Sequence, residues 1–99
     1  MQTNPNEILR VHMWVKGRVQ AVGYRAHVEY YALQIGVLGW VRNIGPDTVE
    51  AVAEGTRTQI DQFIEMVKTG PTAARVDEAH VEYEPTTGRL EGFSVKHSL

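Results

Sequence analysis

The 99-residue sequence contains no cysteine, which excludes disulfides, thiolate metal sites and a cysteine nucleophile and agrees with a reducing compartment. No stretch approaches the ~18 apolar residues of a membrane span. The first seven residues, polar with one proline, lack the apolar core of a signal peptide. Neither sign of charge dominates: 10 Lys and Arg against 12 Asp and Glu leave a net charge of -2, with a pI near 6.0. That balance supplies no broad attraction to nucleic acid or to an anionic membrane. Repeats, linkers and low-complexity tracts are also missing. With 42% hydrophobic and 22% charged residues, the composition is that of an ordinary soluble globular protein. A chain of this length has room for one core. The expectation is therefore one cytoplasmic domain over residues 8–99, behind a flexible segment at 1–7. Nothing demands more than a monomer.

What is present is a clear run of elements. Leu9, Val11, Met13 and Val15 alternate with Arg10, His12, Trp14 and Lys16, as in a strand with one buried face. Tyr24, Val28, Tyr31, Ala32 and Ile35 then recur at helical spacing, and Gly36 is placed to end that helix. Leu38–Ile44 and Thr48–Glu54 read as strands joined by a turn at Gly45-Pro46-Asp47. Thr56 with Gln59 forms a capping-box pattern before a helix carrying Ile60, Phe63, Ile64 and Val67, which stops at Gly70-Pro71. Val76–Glu84 is a further strand, and Phe93 with Val95 marks a short closing one. The order suits a ferredoxin-like βαββαβ sandwich: an antiparallel sheet with two helices on one face. In that topology the first two strands run parallel with the third between them. The loop after the first strand and Asn43 at the end of the second then share one sheet edge.

The loop Gly17-Arg18-Val19-Gln20-Ala21-Val22-Gly23-Tyr24-Arg25 draws the most attention. A short loop feeding a helix start presents unpaired N–H groups, and the helix dipole adds partial positive charge there. Arg25 offers a fork of donors that matches phosphate bidentately. In a first helical turn its charge opposes the dipole, which makes sense if an anion lies between them. An ordinary strand-to-helix turn, with Arg25 solvated or paired to Glu29, remains open. Asn43 can accept from and donate to one water without ionising; the competing role is to start the hairpin.

Other schemes fall away. Gly17 and Gly23 are not followed by Lys-Ser or Lys-Thr, so the loop is not a Walker A sequence. His12, His27, His80 and His97 lack metal-ligand spacing, and no acidic cluster would hold magnesium. Each histidine is expected at an ordinary surface position. Lys16 and Arg18 are expected as exposed spectators, Glu50, Glu54, Glu78, Glu82 and Glu84 as solvated strand positions, and Trp14 and Trp40 as cover for the sheet.

The loop resembles the signature Gly-x-Val-Gln-Gly-Val-Gly-Phe-Arg of the acylphosphatase family. Gly39-Trp40-Val41-Arg42-Asn43, followed by Val49-Glu50, is similar to its second motif. Gly70-Pro71 through Asp77 and the closing Phe93-x-Val95 extend the likeness across residues 8–97. The resemblance implies hydrolysis of small acyl phosphates to carboxylate and inorganic phosphate, without metal or cofactor. By the same likeness Val19, Gln20, Ala21, Val22, Gly23 and Tyr24 form the phosphate-binding loop, Arg25 binds the phosphoryl group and Asn43 orients the attacking water. The leaving carboxylate is a weak base and needs no general acid, so positioning and charge stabilisation carry the reaction. Two features depart from the family pattern: Ala21 where glycine is usual, and the hairpin tip after Asn43. Tyr24 in place of phenylalanine is expected to matter little. Two rivals follow, a non-catalytic anion-binding module of the same fold and an RNA-binding sheet. The second is disfavoured by the charge balance and by the lack of paired aromatics on the first and third strands.

Overall fold

The computed structural model describes residues 7–20 and 23–99. The segment expected to be flexible thus lies outside the described residues except for Glu7, as do Ala21 and Val22. The elements are β1 (Ile8–Arg18), α1 (Tyr24–Ile35), β2 (Leu38–Ile44), β3 (Thr48–Thr56), α2 (Arg57–Thr69), β4 (Arg75–Glu84) and β5 (Phe93–Val95). They form one sheet in the order β4-β1-β3-β2-β5. β3 is antiparallel to both neighbours, with Val15 opposite Val49 and Asn43 opposite that same Val49. β1 and β2 therefore run parallel on either side of it, and their C-terminal ends share one edge.

The expectation of an antiparallel sheet needs one correction, because β5 pairs with β2 in parallel. The connection after β4 carries the chain from one sheet edge to the other, passing Glu54 of β3 on the way, where Thr87 and Gly88 donate to its carboxylate. The chain re-enters antiparallel to β4, which is the direction of β2. Beyond β5 the tail continues along β2: the Lys96 N–H donates to Val41 O at 2.8 Å and the Leu99 N–H to Asn43 O at 2.9 Å.

Both helices cover one face. α1 packs on β2 and β5, and α2 on β1, β3 and β4. Alternation supplies the sheet's half of the core, from Val11, Met13, Val15, Val41, Val49, Ala51 and Ala53; Val28, Ala32, Ile60, Phe63 and Val67 supply the helices' half. The helix ends fall where the sequence places them. The Gly36 N–H donates to Ala32 O, and Thr56 and Gln59 cap α2 reciprocally. Tyr31 departs from its expected core position and is exposed, because the buried stripe of α1 is the narrower Tyr24, Val28 and Ala32.

The open face overturns a larger expectation. Glu50 and Glu54 are only 5% and 4% exposed, rather than solvated. Arg10 bonds Glu54 at 2.7 Å and Glu84 at 3.1 Å, and Arg42 bonds Glu50 at 2.6 Å. His12 sits between Glu50 at 2.6 Å and Glu84 at 2.8 Å, with Trp14 stacked on its ring at 3.9 Å. His12 is thus no ordinary surface histidine. Cross-strand register explains the cluster: His12 lies opposite Val52 and Glu82, so the acids on either diagonal reach its two ring nitrogens. The hydrogen bonds from His12 and Arg10 hold the Glu84 carboxyl below the usual range despite partial burial.

Candidate active site

The site begins at a defect in β1. A bulge falls between Lys16 and Gly17, where a Cβ on residue 17 would stand 2.2 Å from Arg75 O. The chain can make this approach only with glycine. β1 continues two residues further than its alternation suggests, and the Gly17 N–H is met by Asp47 O of the hairpin at 3.0 Å. Val19 is buried and pins the loop to the core. The Gln20 side chain points at the hairpin, where its Nε2 donates to Gly45 O and Thr48 O, both at 2.9 Å.

Gly23 then turns the chain into α1 with φ 73°, and the helix has no side-chain cap and no acid in its first turn. Its leading N–H groups are left without the usual local acceptor. The next residue, Tyr24, sends its ring into the core between the helices, and its hydroxyl donates to Val67 O near the end of α2. Only its main chain belongs to the loop surface in the sense expected of it. Burial raises the Tyr24 hydroxyl pKa. Arg25 follows, half-buried. Among the described residues it forms no ion pair, not even with Glu29 one turn later.

Asn43 approaches from β2, on the helix-facing side after Gly39 and Val41. It is 9% exposed, and no partner among the described residues meets its buried Oδ1. Such an orphaned acceptor costs stability and points to a function for the bare oxygen. A cleft of about 280 Å³ joins the two sides: Val19, Gln20, Gly23, Tyr24 and Arg25 line it from the loop and helix start, and Asn43 from across the sheet edge.

Three lining residues were not foreseen: Ala26, Glu29 and Val95. The i, i+4 spacing of Arg25 and Glu29 puts both on one helix face and could have revealed the second. Val95 follows from β5 running beside β2, opposite Val41. The expectations for Ala21 and Val22 fall outside the described residues. Lys16 and Arg18 are exposed and line a different depression, with Asp47, Arg75 and Asp77, and Lys16 stands 3.8 Å from Asp47. Among the described residues no three His, Asp or Glu side chains gather as a metal site would require, and no helix is long and apolar enough to cross a membrane.

A family model described as acylphosphatase matches residues 11–95. The chain belongs to the acylphosphatase family. An acylphosphatase from Trichormus variabilis is 45% identical over 94 residues, covering 95% of this chain and 92% of the relative. One from Roseiflexus sp. is 42% identical over 89 residues, covering 90% and 96%. The crystal structure of an acylphosphatase from Bacillus subtilis superposes with a TM-score of 0.84 at 33% identity, covering 89% of this chain and 98% of that one. Family and fold thus agree over nearly the whole length, and the cleft lies between the two segments that carry the acylphosphatase motifs. The Tyr24 hydroxyl, expected to matter little, ties α1 to α2 through Val67 O.

Proposed function

We propose that this protein hydrolyses the carboxyl-phosphate bond of small acyl phosphates in the cleft between the α1 N-terminus and the end of β2. The observation that carries the reading is the buried Oδ1 of Asn43 lining the same cleft as Arg25 and the helix start, with no partner, ion pair or side-chain cap for them among the described residues. In this scheme the phosphoryl oxygens accept from main-chain N–H groups of residues 19–25 and from the Arg25 fork. Asn43 Oδ1 accepts a hydrogen of the attacking water and aims its oxygen at phosphorus. Water adds in line as the bond from phosphorus to the acyl oxygen breaks, and the acyl group leaves as a carboxylate. The water's proton passes to a phosphate oxygen, giving carboxylate and dihydrogen phosphate. Arg25 and the amides stabilise charge on the equatorial oxygens throughout.

A non-catalytic anion-binding module is disfavoured by relatives named acylphosphatase at 42–45% identity over at least nine-tenths of the chain. Residues 8–99 are proposed as one domain that works as a monomer in the cytoplasm. Purified protein is expected to turn over benzoyl phosphate in the presence of EDTA. Folded protein that binds inorganic phosphate but shows no turnover would favour the binding module.

A further inference from the structure

The phosphate end of the cleft is built from the loop and Arg25; the other end has a different character. Ala26 and Glu29 lie further along α1, and Val95 faces them from β5. Val95 is 39% exposed although it shares the helix-facing side of its strand with buried Phe93, because the cleft opens over it. Glu29 is half-buried, and none of the hydrogen bonds or ion pairs among the described residues engages its carboxylate. It stands one helical turn, about 6 Å along the axis, beyond Arg25. The two are the only charged side chains among the described residues lining this cleft.

We infer that Glu29 is a specificity-determining residue, which disfavours acyl phosphates whose acyl part carries its own negative charge relative to those with uncharged acyl groups. This rests on the hydrolase reading above, which sets the phosphoryl group at Arg25 and so directs the acyl group toward Glu29 and Val95. A separation on the order of 7 Å between a carboxylate on the substrate's acyl chain and that of Glu29 sets the scale of the effect. At an effective dielectric of about 40–80 the repulsion corresponds to roughly a three- to sevenfold penalty in kcat/KM. Screening by salt shrinks it. An uncharged acyl group meets only the apolar surface of Val95 and Ala26 and feels no such term.

The test compares benzoyl phosphate, with a neutral acyl group, and succinyl phosphate, with a free carboxylate, on the wild type and Glu29→Gln. The kcat/KM ratio of succinyl to benzoyl phosphate is expected to rise about three- to sevenfold in the variant. That gain should diminish at high salt, while competitive inhibition by inorganic phosphate reports an intact phosphate end. An unchanged ratio in a folded, active variant overturns the inference and leaves the hydrolase reading standing. Equal loss on both substrates also overturns it, since it would place Glu29 in the reaction rather than in discrimination. A wild type that turns over neither substrate removes the hydrolase reading and this inference with it. Glu29→Lys supplies the opposite sign and is expected to raise the ratio further than glutamine does.

Discussion

Replacing Tyr24 by phenylalanine removes one oxygen atom from the core and leaves the ring in place. The hydroxyl donates to Val67 O, a carbonyl in the last turn of α2 that has no onward helical partner. Deleting the donor leaves a buried acceptor unmet at a cost of about 1–3 kcal/mol, so that a loss near 1.5 kcal/mol is expected once local relaxation is allowed. For a domain of this size that corresponds to a fall in Tm of roughly 6–12 °C. The pH dependence gives a sharper check. Burial raises the hydroxyl pKa in the folded protein, so its contribution is complete below the ordinary tyrosine value of about 10. The contribution is lost as pH rises above that value toward the folded one. The stability gap between wild type and Tyr24→Phe should therefore be constant from neutral pH to about 9 and narrow in stronger alkali. Urea unfolding at several pH values measures it. A variant as stable as the wild type at neutral pH, or a gap that widens in alkali, would refute the reasoning.

Arg25→Lys is expected to lower kcat/KM for benzoyl phosphate by roughly 10²–10³, because a point charge does not reproduce a two-pronged donor; near-normal kinetics would remove Arg25 from the site. Asn43→Ala should reduce kcat by about 10² or more with little loss of stability, since the deleted Oδ1 has no partner among the described residues. Wild-type kcat in that variant would contradict the water-orienting role. For Glu54, burial pushes the carboxyl pKa up, but hydrogen bonds from Arg10, Thr87 and Gly88 outweigh it and hold the group below its usual range. Its contribution is present above the ordinary carboxylate pKa and lost as pH falls through the depressed folded value. Glu54→Gln should thus be destabilised by about 1–3 kcal/mol at neutral pH and approach the wild type near pH 2–3, as followed by acid and urea titration.

The architecture was largely legible because local signals agreed with one another. The alternation at Leu9–Val15 lies within β1, and the Thr56 and Gln59 cap and the stops at Gly36 and Gly70 lie at the helix ends. Arg25 and Asn43 could be named from motif and topology together, since parallel β1 and β2 must bring their ends to one edge. What escaped detection depends on neighbours that alternation cannot supply. Glu50 and Glu54 look like solvent-facing positions in their own strand, and only the register against Arg10, His12 and Arg42, with the crossing segment at Thr87, buries them. Val95 escaped for a similar reason: its place beside the cleft follows from the parallel pairing of β5, which no turn residue announces. Nothing local to Tyr24 announces its hydrogen-bond partner, which lies 43 residues away.

Both hydrogens of the Gln20 carboxamide are spent on carbonyls at the two ends of the β2–β3 hairpin. The loop that would grip the anion and the strand that presents Asn43 are thereby bolted to a common frame, although some twenty residues and a whole helix separate them along the chain. The spacing between the loop and Asn43 is thus held by the side chain of Gln20, and a shift of one would carry the other with it.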